Sequence, residues 1–77
     1  MGIVYDASTY VTTVTDDDYV VEFIPDDEND LYNIYVNDEN CGVLAYKHLE
    51  NCSDKQIAKK FAESKGNAIR EYKSRHR

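Results

Sequence analysis

The sequence contains few glycines and cysteines, and it has no long apolar run. Its 77 residues include three glycines, one proline, two cysteines and no tryptophan. Three scattered glycines do not make a Gly-rich phosphate-binding loop, and two cysteines are too few for a disulfide-rich secreted scaffold. No apolar run approaches the roughly 20 residues of a membrane-spanning helix. These absences favour a small, non-secreted domain in which Cys41 and Cys52 are free thiols.

The length and the first residues carry two further expectations. A chain this short makes one domain at most, which we expect to span residues 1–77. Residues 1–6 have neither the basic segment nor the apolar run of a secretory signal peptide. Gly2 also lacks the following Ser or Thr of a myristoylation signal. We therefore expect a cytoplasmic protein with no membrane partner.

Basic residues are absent from the first 46 positions, and this absence is the strongest signal in the sequence. That segment holds eight Asp and three Glu, for a charge of −11, and residues 55–77 hold five Lys, three Arg and two Glu, for +6. Residues 47–54 add −1, so the net charge of −6 conceals a strongly polarised chain. Ten of the acids lie within residues 15–40, interleaved with Tyr, Val and Ile.

Alternating β-branched and aromatic residues predict four strands in an acidic β-sheet part that we place at residues 1–52. The expected strands are 10–15, 19–24, 31–36 and 43–46 or 47, with Pro25 ending the second. A short extra strand is expected at 1–5. Because the connections are short, neighbouring strands should pair as an antiparallel meander. Tyr32 is expected in the core, and Tyr35 on the opposite face.

One long helix is expected near the carboxy terminus, within residues 53–75. Ser53 and Gln56 have the spacing of a capping box. Apolar residues then recur close to the helical period, at Ile57, Ala58, Phe61, Ala62, Ala68, Ile69 and Tyr72. A break at Gly66 stays open, and residues 74–77 are expected to fray. The predicted fold class is α+β: an antiparallel meander of about four strands with one C-terminal helix packed on one face.

Catalytic and metal-binding interpretations lack necessary parts. General acid–base chemistry needs a carboxyl group with a raised pKa in a shielded pocket, whereas these acids lie in predicted turns. An EF-hand beginning at Asp26 would need Gly at its sixth position and Glu at its twelfth, but Leu31 and Asn37 stand there. The cysteines and histidines do not have zinc-site spacing. We therefore expect no enzyme, metal or cofactor.

The acidic segment suggests a surface that imitates a nucleic acid. Duplex DNA presents about one negative charge per 1.7 Å of axis, and proteins bind it through Lys and Arg. Residues on one face of a strand lie about 6.6 Å apart, so a sheet can hold carboxylates in a fixed pattern. Tyr35 would anchor such an interface. The candidate partner-binding residues are Asp16, Asp17, Asp18, Glu22, Asp26, Asp27, Glu28, Asp30, Tyr35, Asp38 and Glu39.

The size, the acidity and the predicted meander-plus-helix architecture of the whole chain resemble small acidic phage-encoded inhibitors of host proteins. This group includes DNA mimics, such as a Bacillus phage inhibitor of the HU nucleoid protein, and many anti-CRISPR proteins. The resemblance implies a non-enzymatic inhibitor in the host cytoplasm that covers the basic nucleic-acid-binding surface of a host protein. The basic carboxy-terminal segment departs from the uniformly acidic mimics.

Two other functions are consistent with the same sequence. The helix carries Lys and Arg that could contact phosphates, at Lys55, Lys59, Lys60, Lys65, Arg70, Lys73, Arg75 and Arg77. The acids of the first 46 residues would repel a nucleic acid, so no direct nucleic-acid partner is expected. Alternatively, the acids serve mainly solubility in a small protein-interaction domain. The chain could be a monomer or a homodimer.

Overall fold

The computed structural model describes residues 9–15 and 17–77, and in them it shows an antiparallel sheet followed by a helix. The strands lie in the order β1-β2-β3-β4, and a short 3-10 turn at Tyr46–His48 leads to the helix α1 at Asp54–Arg75. The strands are β1 (Val11–Val14), β2 (Val20–Asp26), β3 (Leu31–Val36) and β4 (Glu39–Ala45). The predicted α+β meander with one C-terminal helix is confirmed. The strand expected at 1–5 lies outside the described residues.

The strand β4 begins four residues earlier than the sequence indicated. Asn37 and Asp38 both have positive φ, 49° and 69°, and they connect Val36 directly to its partner Glu39. Such a two-residue turn matches the twist of a hairpin, and Asn and Asp tolerate its backbone conformation. The expectation that β4 starts at residue 43 was therefore wrong, because the turn is shorter than assumed.

The strand β2 continues through Pro25, where the sequence predicted its end. Pro25 pairs with Tyr32 of β3. The Val20 carbonyl accepts from the Asn37 amide at 2.9 Å, and the direction of the backbone groups alternates along a strand. The Pro25 nitrogen therefore points away from β3, toward the side of β2 on which β1 lies. The pairing of β1 with β2 ends at Phe23, so β1 offers no ladder partner opposite Pro25. A proline is tolerated at such an edge position because no ladder hydrogen bond is lost.

The core lies between one face of the sheet and the helix. Its fully buried side chains are Val21, Phe23, Tyr32, Ile34 and Val36. The helix contacts mainly β3 and β4 and contributes Ile57 and Ala68 to the same cluster. The Phe61 ring packs edge-on at 4.7 Å from Phe23 and 5.4 Å from Tyr32. Tyr32 is thus a core residue, as predicted.

The helix α1 is continuous, so the break considered at Gly66 does not occur. Both hydrogen bonds of the predicted Ser53–Gln56 capping box are present, at 2.9 and 3.2 Å. The helix reaches Arg75, and the expected fraying of residues 74–77 was wrong for Arg75 and His76, whose side chains contact Glu39. Among the described residues, no helix is long and apolar enough to cross a membrane.

Both cysteines are free thiols, as the sequence predicted. Cys41 is buried, and burial raises the pKa of its thiol. It lies where the β3–β4 register shifts, because Tyr35 pairs with Asn40 and Ile34 pairs with Gly42. Cys41 is thus the extra residue of a β-bulge on β4, and it points into the core.

Candidate functional site

The meander distributes the predicted acidic residues between the two ends of the sheet. The β1–β2 and β3–β4 turns lie together at one end, where the Asn37 amide donates to the Val20 carbonyl at 2.9 Å. The β2–β3 hairpin lies at the other end. We call Asp17, Asp18, Asp38 and Glu39 the clamped cluster, and Asp26, Asp27, Glu28 and Asp30 the hairpin cluster. Glu22 and Tyr35 lie between them, and Asp16 lies outside the described residues.

The clamped cluster is contacted by the basic end of α1. Arg75 Nη1 lies 3.2 Å from Glu39 Oε2, and His76 Nε2 lies 2.9 Å from Glu39 Oε1. Lys73 Nζ lies 4.0 Å from Asp17 Oδ2. The hydrogen bonds from His76 and then Arg75 hold the pKa of Glu39 below its ordinary value. The helix therefore partly neutralises this end of the sheet.

The last helical turn is fixed by several further contacts. Arg75 donates to the Asn40 carbonyl at 2.8 Å and to Glu71 at 2.9 Å. The His76 ring packs on Tyr72, with 4.3 Å between the ring centroids. Lys73 Nζ also lies 5.6 Å from the centre of the Tyr19 ring. These contacts explain why the sequence-based expectation of a frayed end fails.

Among residues 9–15 and 17–77, the side-chain hydrogen-bond partners of the hairpin cluster are neutral. Asp26 accepts from the Asn29 side chain at 2.8 Å, from the Asn29 amide at 3.3 Å and from Asn33 at 3.4 Å. These bonds, with the Asn29 side chain first, lower the pKa of Asp26. None of the ion pairs among the described residues involves a member of this cluster. Within the described part of the chain, the charge of this cluster is therefore not neutralised by an ion pair.

Tyr46 supports the hairpin cluster from the core side. Its hydroxyl donates to Asp27 Oδ1 at 3.0 Å, and its ring packs edge-on against Tyr32 at 5.2 Å. Burial, and then the hydrogen bond to the Asp27 carboxylate, raises the pKa of Tyr46 to about 12. The tyrosine thus stays protonated at neutral pH and orients the Asp27 carboxylate.

Three acids of the candidate site also meet a backbone requirement. Asp18, Asp30 and Asp38 have positive φ, at 62°, 54° and 69°. Non-glycine residues rarely adopt this conformation, and Asn and Asp are the side chains that tolerate it best. The local backbone conformation therefore explains why Asp stands at these three positions, whether or not they contact a partner. Glu22, Asp27 and Glu28 do not have positive φ, so this backbone requirement does not account for their charge.

The face of the sheet turned away from α1 combines acids with apolar side chains. We call it the open face; Glu22 of β2 pairs there with Tyr35 of β3 and accepts a hydrogen bond from the Tyr10 hydroxyl. Tyr35 lies on this face as predicted and is half-buried. The open face is formed by Tyr10, Thr12, Val14, Val20, Glu22, Ile24, Asp26, Leu31, Asn33, Tyr35, Asn40, Val43 and Ala45.

The apolar residues of the open face were not among the predicted site residues. Val14 is 68% exposed, Val43 56% and Val20 38%. A signal was available in β2, where Val20 and Ile24 alternate with buried residues and flank Glu22. The solvent face of an antiparallel sheet is ordinarily polar, whereas this face carries three exposed valines.

Most of the basic residues lie on α1, on the other side of the sheet from the open face. Every Lys and Arg follows β4 in the sequence, and α1 packs on the core face of the sheet. Lys55, Lys59 and Arg70 are exposed along the outer side of the helix. The sheet thus separates an acidic open face and hairpin from a basic helix.

The structure also bears on metal binding and on cavities. Within residues 9–15 and 17–77, no three His, Cys, Asp or Glu side chains are placed to hold a metal ion. A cavity of 420 Å³ beside the hairpin is lined by Asn29, Asp30, Ala45, Tyr46, Lys47 and Glu50. It places Lys47 with the two carboxylates of Asp30 and Glu50, but it contains no nucleophile paired with a base.

Comparison with known proteins found no match to a protein-family model, to a curated protein or to a solved structure. A proposal for function therefore depends on the charge distribution and the exposed surfaces described above.

Proposed function

We propose that this protein is a non-enzymatic inhibitor that occupies the basic nucleic-acid-binding surface of another protein. One observation carries the proposal: the hairpin cluster and Glu22 have no Lys or Arg partner among the described residues. Most of the basic residues lie on α1, whose last turn contacts the clamped cluster, and Lys47 lies beside Asp30 without forming an ion pair with it. A partner that brings its own Lys and Arg would supply the missing counter-charge.

The sheet holds carboxylates at fixed positions, as a nucleic acid holds its phosphates. Glu22 and Asp26 are four residues apart on the same face of β2, which corresponds to about 13 Å at a rise of about 3.3 Å per residue. Each strand of duplex DNA carries its phosphates more densely, at one per about 3.4 Å of axis, so these two carboxylates would occupy only part of a basic nucleic-acid-binding surface. The hairpin cluster extends the negative surface beyond Asp26.

The field of such a surface also has kinetic consequences. Complementary charge accelerates encounter between proteins and makes association sensitive to ionic strength. A cytoplasmic nucleic-acid-binding protein of a phage host, with the HU nucleoid protein as one candidate, would present the required Lys and Arg. The small size and acidity of the chain favour this class of partner.

Competition with DNA tests the proposal. HU is bound to a fluorescent duplex, and the protein is added while the anisotropy of the duplex is followed. We expect stoichiometric displacement that weakens as NaCl rises. The Glu28→Lys variant should compete at least fivefold less well, whereas Glu63→Lys, which makes the same charge change on α1, should compete normally. Failure to displace DNA from HU or from other Lys-rich nucleic-acid-binding proteins would contradict the proposal.

A second function, direct nucleic-acid binding through the helix, is favoured by one observation. Lys55, Lys59 and Arg70 are exposed along α1, on the side away from the acidic open face. A gel-shift assay with Lys59→Glu and Lys60→Glu would separate the two functions. Binding of duplex DNA by the wild-type protein, lost in this variant, would support the helix as the functional surface.

A further inference from the structure

We propose that the open face binds a protein element in which Lys or Arg side chains stand beside large aliphatic side chains. This inference rests on the proposed function and specifies the chemistry of the partner. It assigns a contact role to Val20, Ile24, Leu31 and Val43, which lie outside the acidic turns.

The exposure of these side chains is the first argument. Val43 is 56% exposed and Val20 38%, while Ile24 and Leu31 are half-buried by their neighbours in the sheet. Each Val or Leu that leaves water on binding stabilises the complex in proportion to the apolar area that it buries. A purely electrostatic contact with a nucleic-acid-like surface would not use them.

The arrangement of acids among the apolar residues is the second argument. Ile24 lies between Glu22 and Asp26 on the same face of β2, and Asp26 pairs across the ladder with Leu31. The neutral donors Tyr10 and Asn33 hydrogen-bond these two carboxylates, so neither carboxylate is paired with a positive charge of the described residues. Basic and aliphatic side chains of one partner would therefore find their complements within a few ångströms of each other.

Charge complementarity selects this occupant over a second copy of the chain. Two copies meeting through their open faces would bring two acidic surfaces together, and the face carries no Lys or Arg to compensate. The outer side of α1 is basic, but its exposed apolar residues include only the small Ala58 and Ala62. A nucleic acid would be repelled by the same carboxylates. A basic protein element with aliphatic side chains satisfies both parts of the surface.

The test uses two defined peptides of 14 residues. One has Lys and Leu at helical spacing, and the other has the same Lys positions with Ser in place of Leu. The dissociation constant of each is measured at 0.15 and 0.5 M NaCl, and amide shifts of the full-length ¹⁵N-labelled protein are followed. We expect the Leu-containing peptide to bind at least tenfold more tightly and to shift the Ile24, Tyr35 and Val43 amides.

Two variants separate the contributions of charge and apolar contact. Glu28→Lys should weaken both peptides. Ile24→Thr combined with Val43→Ser should weaken only the Leu-containing peptide, by at least fivefold, while the dispersion of the amide spectrum shows that the fold is retained. Equal affinity of the two peptides, unchanged in this double variant, would overturn the inference and leave the proposed function standing. No binding of either peptide at 0.15 M NaCl would overturn both.

Other occupants of the open face give different results. A mass that rises with protein concentration in sedimentation equilibrium, and falls in the Ile24→Thr and Val43→Ser double variant, would identify a second copy. Nuclear Overhauser contacts in the free protein from residues 2–8 to the Val43 methyl groups would identify a segment of the same chain. Either result would overturn the inference.

Discussion

Arg75 Nη1 lies 3.2 Å from Glu39 Oε2, across 36 residues of sequence, and joins the end of the helix to the β3–β4 turn. This contact places the basic end of the chain on one of its two acidic clusters. In the described residues, the hairpin cluster at the opposite end of the sheet forms no ion pair. The ion pairs of the described residues are therefore divided unequally between the two ends of the sheet.

Replacing Glu39 by Gln should destabilise the protein in a pH-dependent way. The folded-state pKa of Glu39 is lowered by His76 and Arg75. The ionised Glu39 side chain therefore stabilises the folded state above the unfolded-state pKa, and this stabilisation is lost as pH falls through the folded-state pKa. Thermal unfolding followed by circular dichroism should show a lower Tm for Glu39→Gln at pH 7, and the difference should shrink as pH falls below 4.5. Glu28→Gln, which removes an acid without an ion-pair partner, should show no loss. An equal loss of Tm in both variants would contradict a stabilising role for the contacts of Glu39 with Arg75 and His76.

Two charge reversals of equal size should have opposite effects on stability. Glu28→Lys relieves repulsion within the hairpin cluster and should raise the unfolding free energy by roughly 0.5 kcal/mol at low salt. Glu63 follows Lys59 by four residues and Lys60 by three on α1, so Glu63→Lys should lower it by a similar amount. Urea unfolding at 20 mM and 1 M NaCl measures both. If both variants change the unfolding free energy in the same direction, or if the changes persist at 1 M NaCl, the electrostatic explanation would be contradicted.

Removing the Tyr46 hydroxyl should cost about 1 kcal/mol at pH 8, because the hydrogen bond to Asp27 is lost. The folded-state pKa of Tyr46 is raised to about 12 from 10.0. The stabilisation is therefore complete below pH 10 and is lost as pH rises toward 12. Denaturant unfolding should show the difference between wild type and Tyr46→Phe narrowing over this range. The control Tyr35→Phe keeps Tyr46 and should therefore lose stability between pH 10 and 12 as the wild type does. A stability difference between wild type and Tyr46→Phe that stays constant over this pH range would refute the assignment.

Gly66→Ala should stabilise the protein by up to about 1 kcal/mol. Gly66 lies inside α1, and a Cβ added there would meet no atom within 4 Å. Alanine has a higher helix propensity and restricts the unfolded chain. Ala62→Gly, at an exposed position one turn earlier, should cost a similar amount. A destabilised Gly66→Ala protein would show that this position has a steric or functional constraint.

Much of the fold could be predicted because its signals are local. The strand β3 has the predicted bounds, since its alternation is regular and turn residues flank it on both sides. The capping box of Ser53 and Gln56 depends on residues three apart. The errors at Pro25 and at the start of β4 arose because each depends on strand pairing, which determines where a proline or a two-residue turn is tolerated.

The site was less predictable because its character depends on distant contacts. The sequence identified the acids, but it could not show that Glu39 is paired with Arg75 and His76 while Glu28 is not. It also assigned Tyr35 to the solvent face and did not include Val43 and Leu31 in the same surface. Their shared face follows from the β3–β4 register and its bulge at Cys41, which no local pattern specifies.

Capture from a nuclease-treated bacterial lysate tests the central claim most directly. Immobilised wild-type, Glu28→Lys and Glu63→Lys proteins are eluted with a salt gradient, and the eluted proteins are identified by mass spectrometry. The account predicts a Lys- and Arg-rich nucleic-acid-binding protein that wild type and Glu63→Lys retain and release at moderate salt, and that Glu28→Lys retains less. Identical capture by all three proteins would contradict this prediction. Capture that occurs from an untreated lysate but not from the nuclease-treated one would also contradict it.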